Sequence, residues 1–270
     1  MMSILRRRWV FRAALVLSAV LAGCSSTAPP VEPYRWPDNY QFNFRWSGTQ
    51  GLDLASEQLT VVRAAVESAF LVDLVGWLPG ATPRPYPGYR GSTGGSPLGF
   101  SFTNFLSAED SLGGTFYGYV INVDAVAPLQ SPGDLNVRNS GWRVGACVWL
   151  NGLAFDTGGG LLYSVERAAL VPRHISIYLT PPPAGRPTRL VAGSGPARFP
   201  SADVFGEWGV DMLNSRPGGP VSDTDRDCGA RPDNPVPAEL RALPERGVKH
   251  TYTRPLPTLD AYPGWPEGAK

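Results

Sequence analysis

The residue pattern with the most specific chemistry in this chain is Leu21-Ala22-Gly23-Cys24, which ends a short apolar segment. Small residues directly before a cysteine form a lipobox, where the cysteine thiol takes a diacylglyceryl group and the signal peptidase then cuts. Cys24 becomes the lipidated first residue of the mature protein and carries two or three palmitate-type acyl chains. Because each buried CH₂ group contributes about 0.8 kcal/mol to membrane binding, the pattern predicts a stable lipid anchor at Cys24.

Residues 1–23 have the three parts of a secretory signal peptide. The basic start contains Arg6, Arg7, Arg8 and Arg12. The apolar part, from about Trp9 to Leu21, is too short for a membrane-spanning helix, which needs about 20 residues. We therefore expect a protein anchored to the cell membrane on its extracytoplasmic face. The alternative is a secreted protein in which a cysteine follows the signal by chance.

The composition after the signal predicts a tether and one domain. Residues 24–40 are rich in proline and serine, which predicts an extended tether. Residues 41–270 have a suitable length for a single domain. The chain contains 31 glycines and 28 prolines, so we expect abundant loops and turns.

The charge of the mature chain argues against a nucleic-acid partner. The whole chain has 24 Lys+Arg and 23 Asp+Glu. Removing residues 1–23 takes away four arginines and no acid, which leaves 20 basic and 23 acidic residues and a formal charge of −3. Nucleic-acid binding requires a basic patch, and a mildly acidic domain predicts none.

The remaining cysteines form an even pair. Once Cys24 carries lipid, Cys147 and Cys228 remain, and disulfides persist outside the cytoplasm. We predict that these two residues form a disulfide, which would close a loop of about 80 residues and stabilise the fold by about 4 kcal/mol. The alternatives are two buried free thiols or, less favoured, a catalytic thiol.

The two histidines do not indicate catalysis. A Ser-His-Asp site would need His174 or His250, and no Gly-x-Ser-x-Gly sequence supplies a nucleophile elbow. No His-Glu-x-x-His sequence predicts a zinc site. We expect His174 to be structural at the start of a strand and His250 to be solvated in a loop. No catalytic residue is assigned, and the sequence favours a protein that is not an enzyme.

Two further patterns resemble ligand loops only in part. Asp223-x-Asp225-x-Asp227 begins like a calcium loop, but position six is Cys228 and position twelve is Asn234, where that loop needs glycine and glutamate. We expect a solvated turn beside the disulfide. The runs Gly91-x-x-Gly94-Gly95 and Gly193-x-Gly195 are expected to be plain loops. No metal and no cofactor are therefore assigned.

One segment has the periodicity of a helix. Ser56 provides an N-cap and Glu57 an acid in the first turn. Apolar residues then recur at helical spacing at Leu59, Val62, Val66, Ala69 and Phe70. Arg63 and Glu67 stand at i, i+4 on another face, which predicts a surface pair; the alternative is that the two side chains line a pocket. The helix is expected to end near Gly76, before a long loop over residues 79–99.

Beyond that loop the pattern changes to strands. Four β-branched and aromatic segments are separated by turn signals; they are Thr115–Val123, Trp142–Leu150, Gly160–Val165 and His174–Thr180. Either Asn151-Gly152 or Gly158–Gly160 could form the hairpin turn. The predicted fold is α+β, with one long helix packed on a curved antiparallel sheet.

The last third of the chain predicts an irregular C-terminal wrap. Pro, Asp and Gly dominate from about Pro181, and a short segment near Ala202–Trp208 is expected to pack on the core. The predicted disulfide would hold this wrap to the strand that contains Cys147. Most aromatic side chains should be core, but Tyr86-Pro87-Gly88-Tyr89 and Tyr262-Pro263-Gly264-Trp265 are loop aromatics that could form a glycan platform.

Short motifs along the mature chain resemble a group of actinobacterial, chiefly mycobacterial, lipoproteins. They are Val61–Ser68, Tyr86-Pro87-Gly88, Ala202-Asp203-Val204-Phe205-Gly206-x-Trp208, a mid-chain strand cysteine and a C-terminal Pro-Gly-Trp. That group has no assigned activity, so the resemblance implies a location only. The order of helix and strands also resembles the nuclear-transport-factor-2-like (cystatin-like) cone, which hosts enzymes, binders and inert partners alike. The long loop and the wrap depart from that compact cone.

Together these observations favour a cell-envelope lipoprotein that is not an enzyme. We expect membrane attachment through Cys24 and an envelope protein or glycan as partner. The alternative is a carrier or sensor that holds a lipid or small molecule in a pocket between helix and sheet. A cryptic hydrolase that uses His174 is a third, weaker hypothesis.

Overall fold

A computed structural model describes the greater part of the chain after residue 33, which includes residues 34–40 of the predicted tether. The described residues are 34–75, 84–91, 98, 100, 110–126, 141–156, 158, 162–164, 172–185, 193–214, 223–241 and 251–267. They belong to one compact unit that begins at Tyr34. Cys24 and His250 lie outside the described residues. Within the described part, no helix is both long and apolar enough to cross a membrane.

The described residues form strands and two α-helices. In chain order the elements are β1 (Tyr40–Gly48), α1 (Glu57–Val75), β2 (Ser111–Val126), β3 (Gly141–Trp149), β4 (Leu153–Asp156), β5 (Leu162–Ser164), β6 (Arg173–Thr180), β7 (Gly209–Asn214), α2 (Asp223–Ala230), a 3₁₀ turn (Ala238–Leu240) and β8 (Thr251–Tyr252). The predicted α+β class is confirmed. The strand predictions agree with β2, β3, β5 and β6 to within a few residues at each end, except that β2 begins earlier.

The sheet is mixed and curled rather than antiparallel throughout. β1 pairs with β2 in parallel, and the other ladders are antiparallel. The sequence patterns missed this pairing because β1 precedes the helix, and α1 carries the chain from β1 back to the start of β2 as a crossover does.

β2 is the long central strand of this sheet. β3 pairs with its second half and β4 with its first four residues, both in the antiparallel sense. Asn151-Gly152 therefore separates β3 from β4, which both pair with β2, and it is not a hairpin turn. The hairpin joins β4 to β5 across Gly158, which was the other predicted possibility.

The prediction of a single helix is wrong in one respect, because Asp223–Ala230 forms the second helix α2. Acidic residues at the first positions of a helix are favoured by the helix dipole, so the carboxylates that were expected in a solvated turn begin a helix instead. α1 begins at Glu57, directly after the predicted N-cap at Ser56, and it spans 19 residues. The C-terminal wrap is also less irregular than expected, since it contains β7 and α2.

The main core lies between α1 and the inner face of the sheet. Side chains alternate across a strand, so Phe42 and Phe44 of β1 and Phe116 of β2 point towards the helix. The Phe70 ring centroid of α1 lies 4.9 Å from that of Phe116 and 5.7 Å from that of Phe42. Such tilted and edge-to-face pairs add about 0.5–1.5 kcal/mol each beyond area burial. Val204, Phe205 and Trp208 join this core, as expected for the segment near Ala202–Trp208.

A smaller cluster lies on the outer face of the sheet, beneath α2. Its buried members are Tyr117, Tyr119, Cys147, Trp149, Cys228 and Val236. Cys147 of β3 and Cys228 of α2 form a disulfide with a Cα–Cα distance of 5.7 Å. This bond joins the C-terminal wrap to the strand that contains Cys147.

Candidate functional site

The candidate site lies on the outer face of β1, β2 and β4, where a C-terminal segment crosses the sheet. We use "terminal segment" for residues 251–267. Thr258 Oγ1 accepts a hydrogen bond from the Gly114 amide at 3.2 Å and donates one to the Gln41 carbonyl at 3.1 Å. Thr115 Oγ1 donates to the Pro257 carbonyl at 2.7 Å. These bonds hold the terminal segment across β1 and β2.

A surface cavity of about 190 Å³ lies beside this crossing, and we call it the outer pit. The strands contribute Gln41, Ser111, Gly113, Ala154 and Asp156, and the terminal segment contributes Pro255, Leu256 and Thr258. Gly113 leaves this space open, because a Cβ atom built on it would meet nothing within 4 Å. The outer pit therefore exists only when the terminal segment is in place.

The polar groups of the outer pit are mainly hydrogen-bond acceptors. Gln41 Nε2 donates to the Asp38 carbonyl at 2.6 Å, which leaves its amide oxygen for another donor. Asp156 Oδ1 accepts a bond from the Gly158 amide at 2.8 Å, which leaves Oδ2. No residue lining the cavity is basic, and within the described ranges no arginine or lysine forms an ion pair with Asp156.

Sequence reasoning missed the residues of the outer pit. The available signal was Gly113-Gly114 within a strongly β-forming segment. Glycine inside a strand marks a bulge or a place where another group approaches the sheet. Gly114 has a φ of +110°, and its missing Cβ makes room for the Gly152 carbonyl. Gly113 needs no such conformation and borders the cavity.

A second polar centre lies in the interior, and it contradicts the predicted surface pair. Arg63 and Glu67 are both fully buried, because α1 is covered on all sides. Glu67 accepts hydrogen bonds from Trp46 Nε1 at 2.8 Å, from the Tyr86 hydroxyl at 2.8 Å and from Trp265 Nε1 at 3.2 Å. Burial raises the pKa of Glu67 to about 7, against the opposing effects of Arg63 and these three donors.

Arg63 joins this centre to the end of the chain. Its guanidinium donates to the Pro263 carbonyl at 2.7 Å and to the Gly193 carbonyl. The same group lies 4.5 Å from the ring centroid of Trp265, a cation–π contact strengthened by desolvation. Burial lowers the pKa of Arg63, while Glu67 opposes that effect. This buried centre is closed to ligands, and its role is to hold the terminal segment on the core.

His174 lies half-buried on β6 against α2. Its backbone amide donates to Asp225 Oδ1 at 2.7 Å, so this carboxylate attaches the helix to the strand. Burial lowers the pKa of the imidazole, opposed by Asp225 and Asp227. Among the residues described, no group of three or more His, Cys, Asp or Glu side chains could hold a metal ion.

The aromatic loops proposed as a glycan platform divide into buried and exposed residues. Tyr86 and Trp265 are each 1% exposed and belong to the core, so they cannot form a platform. Tyr262 is 55% exposed, and the Arg45 guanidinium lies 5.4 Å from its ring centroid. Leu259 is 38% exposed. Both exposed residues belong to the terminal segment that forms one side of the outer pit.

Comparisons with protein-family models, with curated proteins and with solved structures find no match to this chain.

Proposed function

We propose that this protein is a cell-envelope lipoprotein, anchored through Cys24, that binds a protein or another envelope component outside the membrane without catalysing a reaction. The binding surface is the outer pit together with the exposed part of the terminal segment. The observation that carries this proposal is the outer pit itself, a cavity bordered by three strands and by the terminal segment, which also contains the exposed residues Leu259 and Tyr262.

The size of the cavity favours a large partner over a free small molecule. Pockets that enclose drug-sized ligands measure about 300–1,000 Å³, whereas the outer pit measures about 190 Å³. A cavity of this size accommodates one protruding group of a larger molecule. The exposed Tyr262 ring adds the type of amphipathic contact area that is enriched at interfaces.

The packing of the described core argues against the carrier hypothesis. In the described part of the interior, the region between α1 and the sheet is filled by phenylalanine side chains, and the ring centroids of Phe44 and Phe116 are 5.0 Å apart. We therefore place the binding function on the outer face.

The test fills the outer pit and asks whether envelope binding is lost. Gly113→Leu places a side chain in the open space above Gly113, and Ala125→Leu is the matched control on an exposed position of the same strand. A photo-cross-linking residue at Thr253, an exposed position outside the pit lining, reports the partner in intact cells.

We expect the control to give the same discrete cross-linked species as the parent protein, and Gly113→Leu to lose it at unchanged melting temperature. Persistence of that species in Gly113→Leu would show that the outer pit is not the binding surface.

A further inference from the structure

We propose that the outer pit binds a protonated primary amine carried by a larger envelope molecule, with Asp156 as its counter-charge. This inference rests on the proposed function, because it specifies the chemical group that the same cavity receives. It depends on three features of the lining: the acceptors, the single charge and the apolar side.

The acceptors match the donors of an ammonium group. Such a group has three N–H donors and no acceptor. The lining offers the Asp156 carboxylate, the Gln41 amide oxygen and the Ser111 hydroxyl oxygen. One N–H of the Gln41 amide donates to the Asp38 carbonyl, which orients the amide oxygen as an acceptor and leaves the second N–H as a donor.

The charge of Asp156 distinguishes an ammonium group from neutral and anionic ligands. A ligand that covers the cavity removes water from this carboxylate, and a desolvated charge without a partner is costly. A neutral hydroxyl group leaves that charge uncompensated, and an anion adds repulsion because no lining residue is basic. An ammonium group compensates the charge, and such charge-assisted hydrogen bonds are about twice as strong as neutral ones.

The apolar side of the cavity suits the methylene groups behind the nitrogen. Ala154, Pro255 and Leu256 form this side. A volume of about 190 Å³ is well above the ~10–15 Å³ that one water molecule needs on the same measure, which is room for a short alkylammonium chain. Lysine-type chains lie along apolar surface in this way while their charged ends reach polar groups.

The test uses three dextran polymers and the lipidated full chain in nanodiscs on a sensor surface. One dextran carries aminobutyl groups, the second carries the same groups after N-acetylation, and the third is unmodified. We expect binding of the aminobutyl polymer only. Asp156→Asn keeps the oxygen that accepts the Gly158 amide, and it should weaken binding roughly tenfold or more.

Asp211→Asn is the matched control, because it removes the same charge from β7, away from the cavity. Equal weakening by Asp211→Asn and Asp156→Asn would assign the binding to net charge and overturn the inference. Equal binding of the acetylated or unmodified polymer would also overturn it, in favour of a neutral or glycan ligand.

The two proposals can fail separately. If the aminobutyl polymer does not bind but Gly113→Leu still abolishes the envelope cross-link, the ammonium inference is wrong and the proposed function stands. If the polymer does not bind and Gly113→Leu keeps the cross-link, both are wrong.

Discussion

Glu67 shows how one buried carboxylate organises residues from distant parts of the chain. Its donors are Trp46 from β1, Tyr86 from the loop after α1, and Trp265 from the terminal segment. Burying a charge is costly, and breaking a buried polar network by removing one member costs about 3–5 kcal/mol. The three donors and Arg63 offset the cost of burial, so this centre helps to select a single arrangement of these segments.

The raised pKa of Glu67 predicts a specific pH dependence of stability. In the folded protein this pKa is about 7 against an ordinary value of 4.5, so the folded state binds the proton more tightly than the unfolded chain. The free energy of unfolding should therefore fall as pH rises from about 4.5 to about 7, by an amount on the order of 3 kcal/mol.

Urea titrations of the parent protein and of Glu67→Gln across that pH range measure this effect. The variant should be less stable at low pH, because a glutamine amide cannot accept all three bonds, and it should lack the decline that Glu67 causes. If the free energy of unfolding changed with pH in the same way for both proteins, the assignment of this pH dependence to Glu67 would be wrong.

The local pattern contains only part of the information on this centre. Arg63 and Glu67 have the i, i+4 spacing of an exposed ion pair, but the residues around them are apolar on every face of α1, which indicates a buried helix. The groups that satisfy them are far away in sequence, with Trp46 21 residues from Glu67 and Trp265 198 residues from it. The outer pit was missed for the same reason, since Gly113, Asp156 and Thr258 meet only after the sheet has formed.

At the scale of elements, the predictions succeeded where the signal is local. The N-terminal signals and period of α1 and the β-branched segments of β3 and β6 are properties of short windows. The parallel pairing of β1 with β2 is not a property of a short window, because it depends on where α1 returns the chain. Asn151-Gly152 has a strong hairpin signal, yet β2 offers a continuous partner to the segments on both sides of it.

The attachment of α2 depends on the Cys147–Cys228 bond, which leads to a prediction about stability. A disulfide that closes a loop of about 80 residues contributes about 4 kcal/mol in the chain-entropy description. Replacing both cysteines by alanine should lower the free energy of unfolding by about 2–4 kcal/mol and increase hydrogen exchange in α2 before β3.

Chemical denaturation and hydrogen-exchange mass spectrometry test this expectation. Alkylation of the denatured protein without prior reduction is the control, because it modifies only cysteines that are not in a disulfide. Modification of both cysteines under those conditions would mean that the thiols are free and that α2 is held by packing and by the hydrogen bond from the His174 amide to Asp225.

At the scale of the whole molecule, the proposed lipid anchor would decide where the outer pit acts. The chain after residue 23 is mildly acidic, with 20 basic and 23 acidic residues, so its electrostatic attraction to an anionic membrane surface is weak. The proposal therefore assigns membrane retention to the acyl chains on Cys24.

Cys24→Ser should therefore release the protein from the membrane fraction. Removing the thiol removes the site of lipidation, and no other described feature replaces two or three acyl chains. Fractionation of cells that express the parent protein and the variant, with the folded state checked by circular dichroism, measures the distribution. A variant that remains in the membrane fraction at low and high salt would exclude lipid attachment at Cys24.

The buried contacts of α1 also have a consequence for the order of folding. Arg63 binds Pro263 and Glu67 binds Trp265, and each pair is about 200 residues apart in sequence. Until the terminal segment reaches the core, α1 has two charged groups that lack these partners, and an unpaired charge cannot be buried at low cost. Closure of the core around α1 is therefore a late step, and a chain from which the terminal segment has been cut leaves the helix open to proteases.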